Sequence, residues 1–158
     1  MSSAKSALKT LTPDLRDPLV QATSAVCETS FFAFTEPASP AVLEQIPGEE
    51  LWFHSSVTFT GPMHGTVTVY VPVGLARDLF GAFLGFDEND TYNNAELHDM
   101  VGEFGNMVCG TWLTSLGRDQ CFDLAHPVVA VAGLPTPDAD AIVLAVNDRP
   151  VVVRAELE

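Results

Sequence analysis

Basic residues are scarce in this 158-residue chain: seven Lys and Arg stand against 21 Asp and Glu, a formal net charge of −14. Such a surface repels nucleic acid and anionic lipid, so neither is expected as a ligand. Long apolar runs are missing as well. None approaches the roughly 18 residues of a membrane span, and the opening MSSAKSALKT has no apolar signal-peptide core. Cytoplasm is therefore the expected location, with no membrane partner. Paired cysteines are absent too: Cys27, Cys109 and Cys121 are an odd number without a CxxC spacing. They read as buried, reduced thiols. There is no GxxxxGK phosphate loop, no GxGxxG after a strand, no HExxH and no GxSxG elbow. His54, His64, His98 and His126 are scattered, which argues against a histidine metal site. No serine or cysteine has a legible local base partner.

What is present is a globular composition, 47% hydrophobic and 18% charged, which separates the chain from disordered sequences. The length suits one core-forming domain over 12–158 behind a flexible tail over 1–11. Thr12-Pro13 reads as an N-cap and first helical residue, and the helical pattern runs to about Phe34. TEPASPAVLEQIPGEE, with three prolines, reads as a loop. LWFHSSVTFT and HGTVTVYVPV, rich in Val, Thr and aromatics, form a predicted hairpin. GLARDLFGAFLG is a short helix ended by Gly85, and FDENDTYNN is an acidic loop. A long helix is predicted from Asn93 or Asn94 to Leu116. After it, CFDLAHPVVAVAG is extended and broken by Pro127, and AIVLAV and VVVRAEL flank the turn NDRP. The fold class is α+β, with long helices on a mainly antiparallel sheet. Each half opens on a helix and continues into a hairpin, a pseudo-symmetric repeat.

The long helix carries the candidate site. Its segment ELHDMVGEFGNMVCG holds Gly102, Gly105 and Gly110, although each glycine costs a helix interior about 1 kcal/mol relative to alanine. At about 100° per residue from Asp99, Glu103 falls at about +40°, Asn106 at about −20° and Gly110 at about +20°. Leu97, Val101, Phe104 and Val108 gather on the opposite side. The outward set is a ridge, which on geometry alone suits either a merely solvated face or a docking surface. Asn is a poor helix-interior residue because its amide competes for backbone hydrogen bonds. The glycines allow either tight packing on a neighbouring helix or close approach by another protein.

The run Asp99-x3-Glu103-x2-Asn106, followed downstream by Pro127, resembles the signature of the CheC/CheX/FliY phosphatases of bacterial chemotaxis, and GEFGNMVCG is especially similar to the CheX branch. The order of helices and hairpins extends the likeness over most of the chain. Twenty residues separate Asn106 from Pro127, slightly fewer than in the family pattern. Aligning the first helix on Glu28 places Ser24 opposite Asp99 but Phe31 opposite Asn106, so a single functional site is expected.

The resemblance implies a substrate, a CheY-like response-regulator receiver domain phosphorylated on aspartate. It implies Asn106 as the group that orients the attacking water and Glu103 as the partner of a receiver lysine. Asp99 and Gly110 are implied as substrate-binding positions and Pro127 as structural. It implies no cofactor of the chain's own, the Mg²⁺ being supplied by the receiver, and a homodimer that joins sheets, for which VTVYVPV offers a pairing edge. The alternative is a receiver-binding or flagellar-switch scaffold that docks without hydrolysis.

Overall fold

The computed structural model describes residues 11–84, 94–117, 119–136 and 140–158. Helix α1 spans Pro13–Phe31. Thr12 precedes it in an extended conformation, and its carbonyl accepts the first backbone bonds, from Leu15 N at 3.0 Å and Arg16 N at 2.8 Å. The Thr12 hydroxyl turns instead to the Asp14 carboxylate. Pro18, the sixth helical residue, lies past the first turn, so the helix does without the bond that an N–H there would give to Asp14 O. The helix stops at Phe31 rather than at Phe34, because Phe32 takes a left-handed conformation (φ 56°, ψ 31°) and Ala33 N–H returns to Cys27 O at 3.0 Å. A left-handed residue thus ends the helix without glycine.

The proline-rich segment read as a loop contains strand β1, Thr35–Ala38, and a 3-10 helix, Pro40–Gln45. Long-range pairing overrides local composition here. Phe34 N donates to Asn147 Oδ1 at 2.9 Å and Asn147 N to Phe34 O at 2.8 Å, which sets β1 against the sheet. Pro37 is tolerated because β1 is an edge strand. The predicted hairpin forms as β2, Trp52–Thr60, and β3, Gly65–Pro72. Helix α2 spans Val73–Phe83; its expected stop at Gly85 lies outside the described residues. Helix α3 is Asn94–Leu116. The extended region after it gives β4, Asp123–Leu124, and β5, Val128–Ala132, on either side of Pro127. Strands β6, Ile142–Val146, and β7, Arg149–Leu157, close on Asn147 and Asp148, both at positive φ (49° and 67°), as a tight hairpin turn requires.

All strand pairs are antiparallel, in the order β1-β6-β7-β3-β2, with β4 and β5 both on the outer side of β2. The two hairpins meet at β3–β7, and each is bordered by a strand from the other half of the chain. The repeat seen in sequence is thus an interlocked pair. Strand β3 is flanked on both sides, so VTVYVPV is not a pairing edge; it is a central strand, buried at every second residue.

The helices cover one face of the sheet. Leu19, Val26 and Phe31 of α1, Leu75 and Phe80 of α2, and Val101, Phe104, Val108 and Trp112 of α3 share one core with the inward residues of β2, β3 and β7. Phe31, Phe80 and Phe104 join the three helices, with ring centroids 4.9, 5.6 and 6.0 Å apart. Trp112 Nε1 donates to Leu15 O at 2.9 Å, tying α3 to α1. A smaller cluster under the 3-10 helix, around Leu43, Trp52 and Val152, covers part of the other face. Cys27 and Cys109 are buried in the helical core, and burial pushes both thiols up to about 12, with the Glu28 charge adding to the effect at Cys27. Cys121 departs from the expectation of three buried thiols: it is exposed on the loop after α3.

Two of the three helix glycines have a packing cause. A Cβ on Gly105 would stand 2.6 Å from Ser55 Oγ of β2, and one on Gly102 would stand 3.3 Å from both Pro127 Cγ and Val129 Cγ2. These glycines let α3 lie directly on strands, so they are not clearance for a partner, nor packing against another helix. Gly110 alone meets nothing within 4 Å. Overpacking costs about 1–3 kcal/mol, whereas replacing a helical glycine by alanine where the Cβ meets nothing gains about 1 kcal/mol. Gly105→Ala should therefore lower the urea midpoint and Gly110→Ala raise it; equal shifts of one sign would refute this division.

Candidate functional site

Helix α3 sorts its residues as the periodicity requires. Leu97, Val101, Phe104 and Val108 are at most 1% exposed and face the sheet, while Asp99 and Glu103 are exposed and Asn106 and Gly110 half-buried. The rise of about 1.5 Å per residue sets Glu103 and Asn106 about 4.5 Å apart along the axis, and Asp99 another turn away. All four predicted site residues therefore share one ridge. Among the described residues no hydrogen bond or ion pair engages the side chains of Asp99, Glu103 or Asn106. The two carboxylates are thus available to an incoming cation.

Asn106 is the anomalous member. Its Oδ1 is shielded from solvent and has no hydrogen-bond partner. An unsatisfied buried oxygen costs about 1–3 kcal/mol, and native structures hold few of them. Rotation about its side-chain torsions exchanges the shielded oxygen for the amide nitrogen, so the side chain can present either an acceptor or a donor outward.

Pro127 sits against α3 at Gly102, one residue before Glu103. Its ring carbons brace the ridge from the strand side. Beyond Asn106, Met107, Gly110 and Thr114 face Ala25, Thr29 and Ser30 of α1 across an open groove of about 590 Å³. Gly110 lines this groove without a side chain, and a Cβ there would meet nothing within 4 Å.

The related positions on α1 are used differently. Thr35 Oγ1 donates to Glu28 Oε2 at 2.6 Å and lies 2.6 Å from Ser24 Oγ, so Ser24, Thr35 and Glu28 form a chain that pins β1 to α1. Phe31, in the place of Asn106, is 7% exposed within the aromatic core. The first helix holds no amide at that place and commits its carboxylate to structure. Two of the four histidines are likewise engaged: His54 Nε2 lies 3.0 Å from Gly133 O, and His98 meets Phe53 edge to face at 5.1 Å. Among the described residues no three His, Cys, Asp or Glu side chains gather where a metal could bind. No described helix is long and apolar enough to cross a membrane.

Sequence reasoning missed Ser55. It is fully buried beneath Gly105, and its Oγ has no partner. The available signal was a lone hydroxyl among the inward-facing residues Phe53, Val57 and Phe59 of β2.

Comparison with known proteins places this geometry. The model of the family described as chemotaxis phosphatase CheX matches residues 53–136, more than half of the chain and including the ridge and Pro127. No curated protein matches by sequence. Among solved structures, a chemotaxis protein CheX from Desulfovibrio desulfuricans is similar at TM-score 0.68 and 22% identity, covering 92% of this chain and 99% of its own. CheX from Vibrio vulnificus gives TM-score 0.68 and 21% identity over 95% and 100% of the two chains. A CheX–CheY–BeF3–Mg²⁺ complex from Borrelia burgdorferi gives TM-score 0.61 and 18% identity over 93% and 99%. At these identities the likeness establishes the shared fold.

The orphaned oxygen yields a stability prediction. Asn106→Ala removes an unpaired acceptor and adds a better helix former, so it should raise stability by about 0.5–2 kcal/mol. A fall in the denaturation midpoint would mean that the amide holds the fold together.

Proposed function

This chain belongs to the CheX family of chemotaxis phosphatases, and on that footing we propose that it hydrolyses the aspartyl phosphate of a CheY-like receiver domain. The observation that carries the reading is the solvent-facing ridge of α3, in which two unengaged carboxylates lead to an asparagine whose oxygen lacks a partner. CheY is the protein bound by the Borrelia burgdorferi relative, and the same class of partner suits this ridge.

In this reading α3 enters the receiver's active site. An acyl phosphate is already activated, so the remaining task is to hold a water in line with phosphorus. Asn106 Oδ1 rotates outward and accepts a hydrogen bond from that water. Water oxygen bonds to phosphorus as the phosphorus–carboxylate oxygen bond breaks. The receiver regains its aspartate, inorganic phosphate leaves, and the water's proton passes to phosphate or solvent. A neutral amide suits this place because a carboxylate would repel the phosphoryl oxygens. The charge on those oxygens is met by the Mg²⁺ and lysine that the receiver itself brings.

Glu103 pairs with that lysine and anchors the helix, Asp99 extends the contact, and Gly110 lets the partner approach the backbone. The reaction belongs in the cytoplasm, where receivers are phosphorylated. In a phosphate-release assay with a phosphorylated CheY-like receiver, Asn106→Ala should slow hydrolysis by about 100-fold or more while receiver binding persists. Glu103→Lys should instead weaken binding, through repulsion of the receiver's lysine. Wild-type turnover in Asn106→Ala, or binding by the wild-type chain with no turnover at all, would replace the phosphatase with a scaffold.

A homodimer belongs to the same reading. The strand that suits a sheet-to-sheet joint is β5, whose outer edge is unpaired among the described residues and whose Val128 and Val131 are 69% and 43% exposed. Light scattering should give twice the 16.9 kDa chain mass, and Val131→Asp should return the monomer. A wild-type monomer at all concentrations would remove this part of the reading.

A further inference from the structure

We propose that Ser55 is a positioning residue for Asn106: its contact with Gly105 sets the height at which α3 rests on the sheet, and so fixes where the next side chain points. The proposal rests on the phosphatase reading of the ridge.

Gly105 lies over a cross-strand pair, Ser55 of β2 and Val69 of β3. A Cβ there would meet Ser55 Oγ at 2.6 Å, Ser55 Cβ at 3.3 Å and Val69 Cγ2 at 3.4 Å. The serine contacts are therefore the tight ones, and Val69 is at ordinary van der Waals distance. Ser55 is fully buried, as are its inward neighbours on β2, yet its hydroxyl finds no partner. A methyl group at this place would avoid that desolvation cost, so folding stability alone does not account for serine.

The next residue of the helix, Asn106, holds the other orphaned oxygen of this turn. Two unsatisfied oxygens thus mark the same stretch of α3 backbone, one beneath it on β2 and one on it. Packed interfaces transmit small displacements instead of absorbing them. A helix lifted at Gly105 carries Asn106 outward with it, while Glu103 and Asp99, long carboxylates in solvent, can still reach a lysine. The contact should therefore act on the chemical step more than on docking.

The test is steady-state phosphate release over a range of phosphorylated CheY-like receiver concentrations, with near-UV circular dichroism to verify folding. Gly105→Ala should lower kcat about tenfold or more with KM within about twofold, since misplacement by about 1 Å can cost 100-fold. Gly105→Ala/Ser55→Gly, which removes both tight contacts, should return kcat to within about threefold of wild type. Ser55→Val, which lifts the helix from the strand side, should reproduce the kcat loss, and it decides the matter if Gly105→Ala does not fold. A folded Gly105→Ala or Ser55→Val with wild-type kcat, a loss confined to KM, or a folded double variant without recovery would each overturn the proposal. Absence of phosphate release by the wild-type chain overturns the phosphatase reading itself, and is seen before any variant is compared.

Discussion

The organisation of this molecule depends on how closely one helix can lie on one sheet. Gly102 and Gly105 remove the side chains that would hold α3 away from β2 and β5, and the helix comes down on Ser55, Pro127 and Val129. Once that face is committed to the sheet, 3.6-residue periodicity turns Asp99, Glu103, Asn106 and Gly110 outward as a single line. The glycines weaken the helix as an isolated segment and strengthen its seating. The apolar stripe of α3 and the aromatic contacts of Phe104 and Trp112 supply the burial that outweighs their propensity cost.

The two-fold character of the fold sets the candidate site of α3 beside a counterpart on α1 whose polar groups are used differently. Both long helices pack on the same sheet face, and each hairpin is bordered by a strand from the other half. On α1 the equivalent carboxylate, Glu28, is tied by Thr35 to β1, and Phe31 fills the aromatic core where α3 has Asn106. One helix has become a structural brace, and the other keeps its polar groups unengaged. Residues that give up stability for availability are a mark of function.

Much of this was legible in sequence. The ridge, the two hairpins and the α+β class follow from periodicities of 3.6 and 2, and the extent of α3 from its pattern. The roles proposed for Glu103 and Asn106 rest on resemblance, because spacing cannot tell a wet face from a docking face. Strand β1 was hidden because Pro37 and Glu36 oppose it locally, and its formation depends on Asn147, 113 residues from Phe34. The end of α1 was misplaced because Phe32 adopts a conformation usually left to glycine. The glycines of α3 announced close approach but not by what, and Ser55 gains its meaning only from what lies above it.

In the proposed reaction a neutral carboxamide at position 106 orients water within a partner's active site. That role is tested most directly by a single-turnover measurement of phosphate release from an aspartyl-phosphorylated CheY-like receiver in Mg²⁺, comparing wild type with Asn106→Asp. The two side chains have nearly the same shape and differ in charge. The wild-type chain should accelerate release over the receiver alone, and Asn106→Asp should lose at least about 100-fold of that acceleration. An Asp variant as fast as wild type would contradict that role.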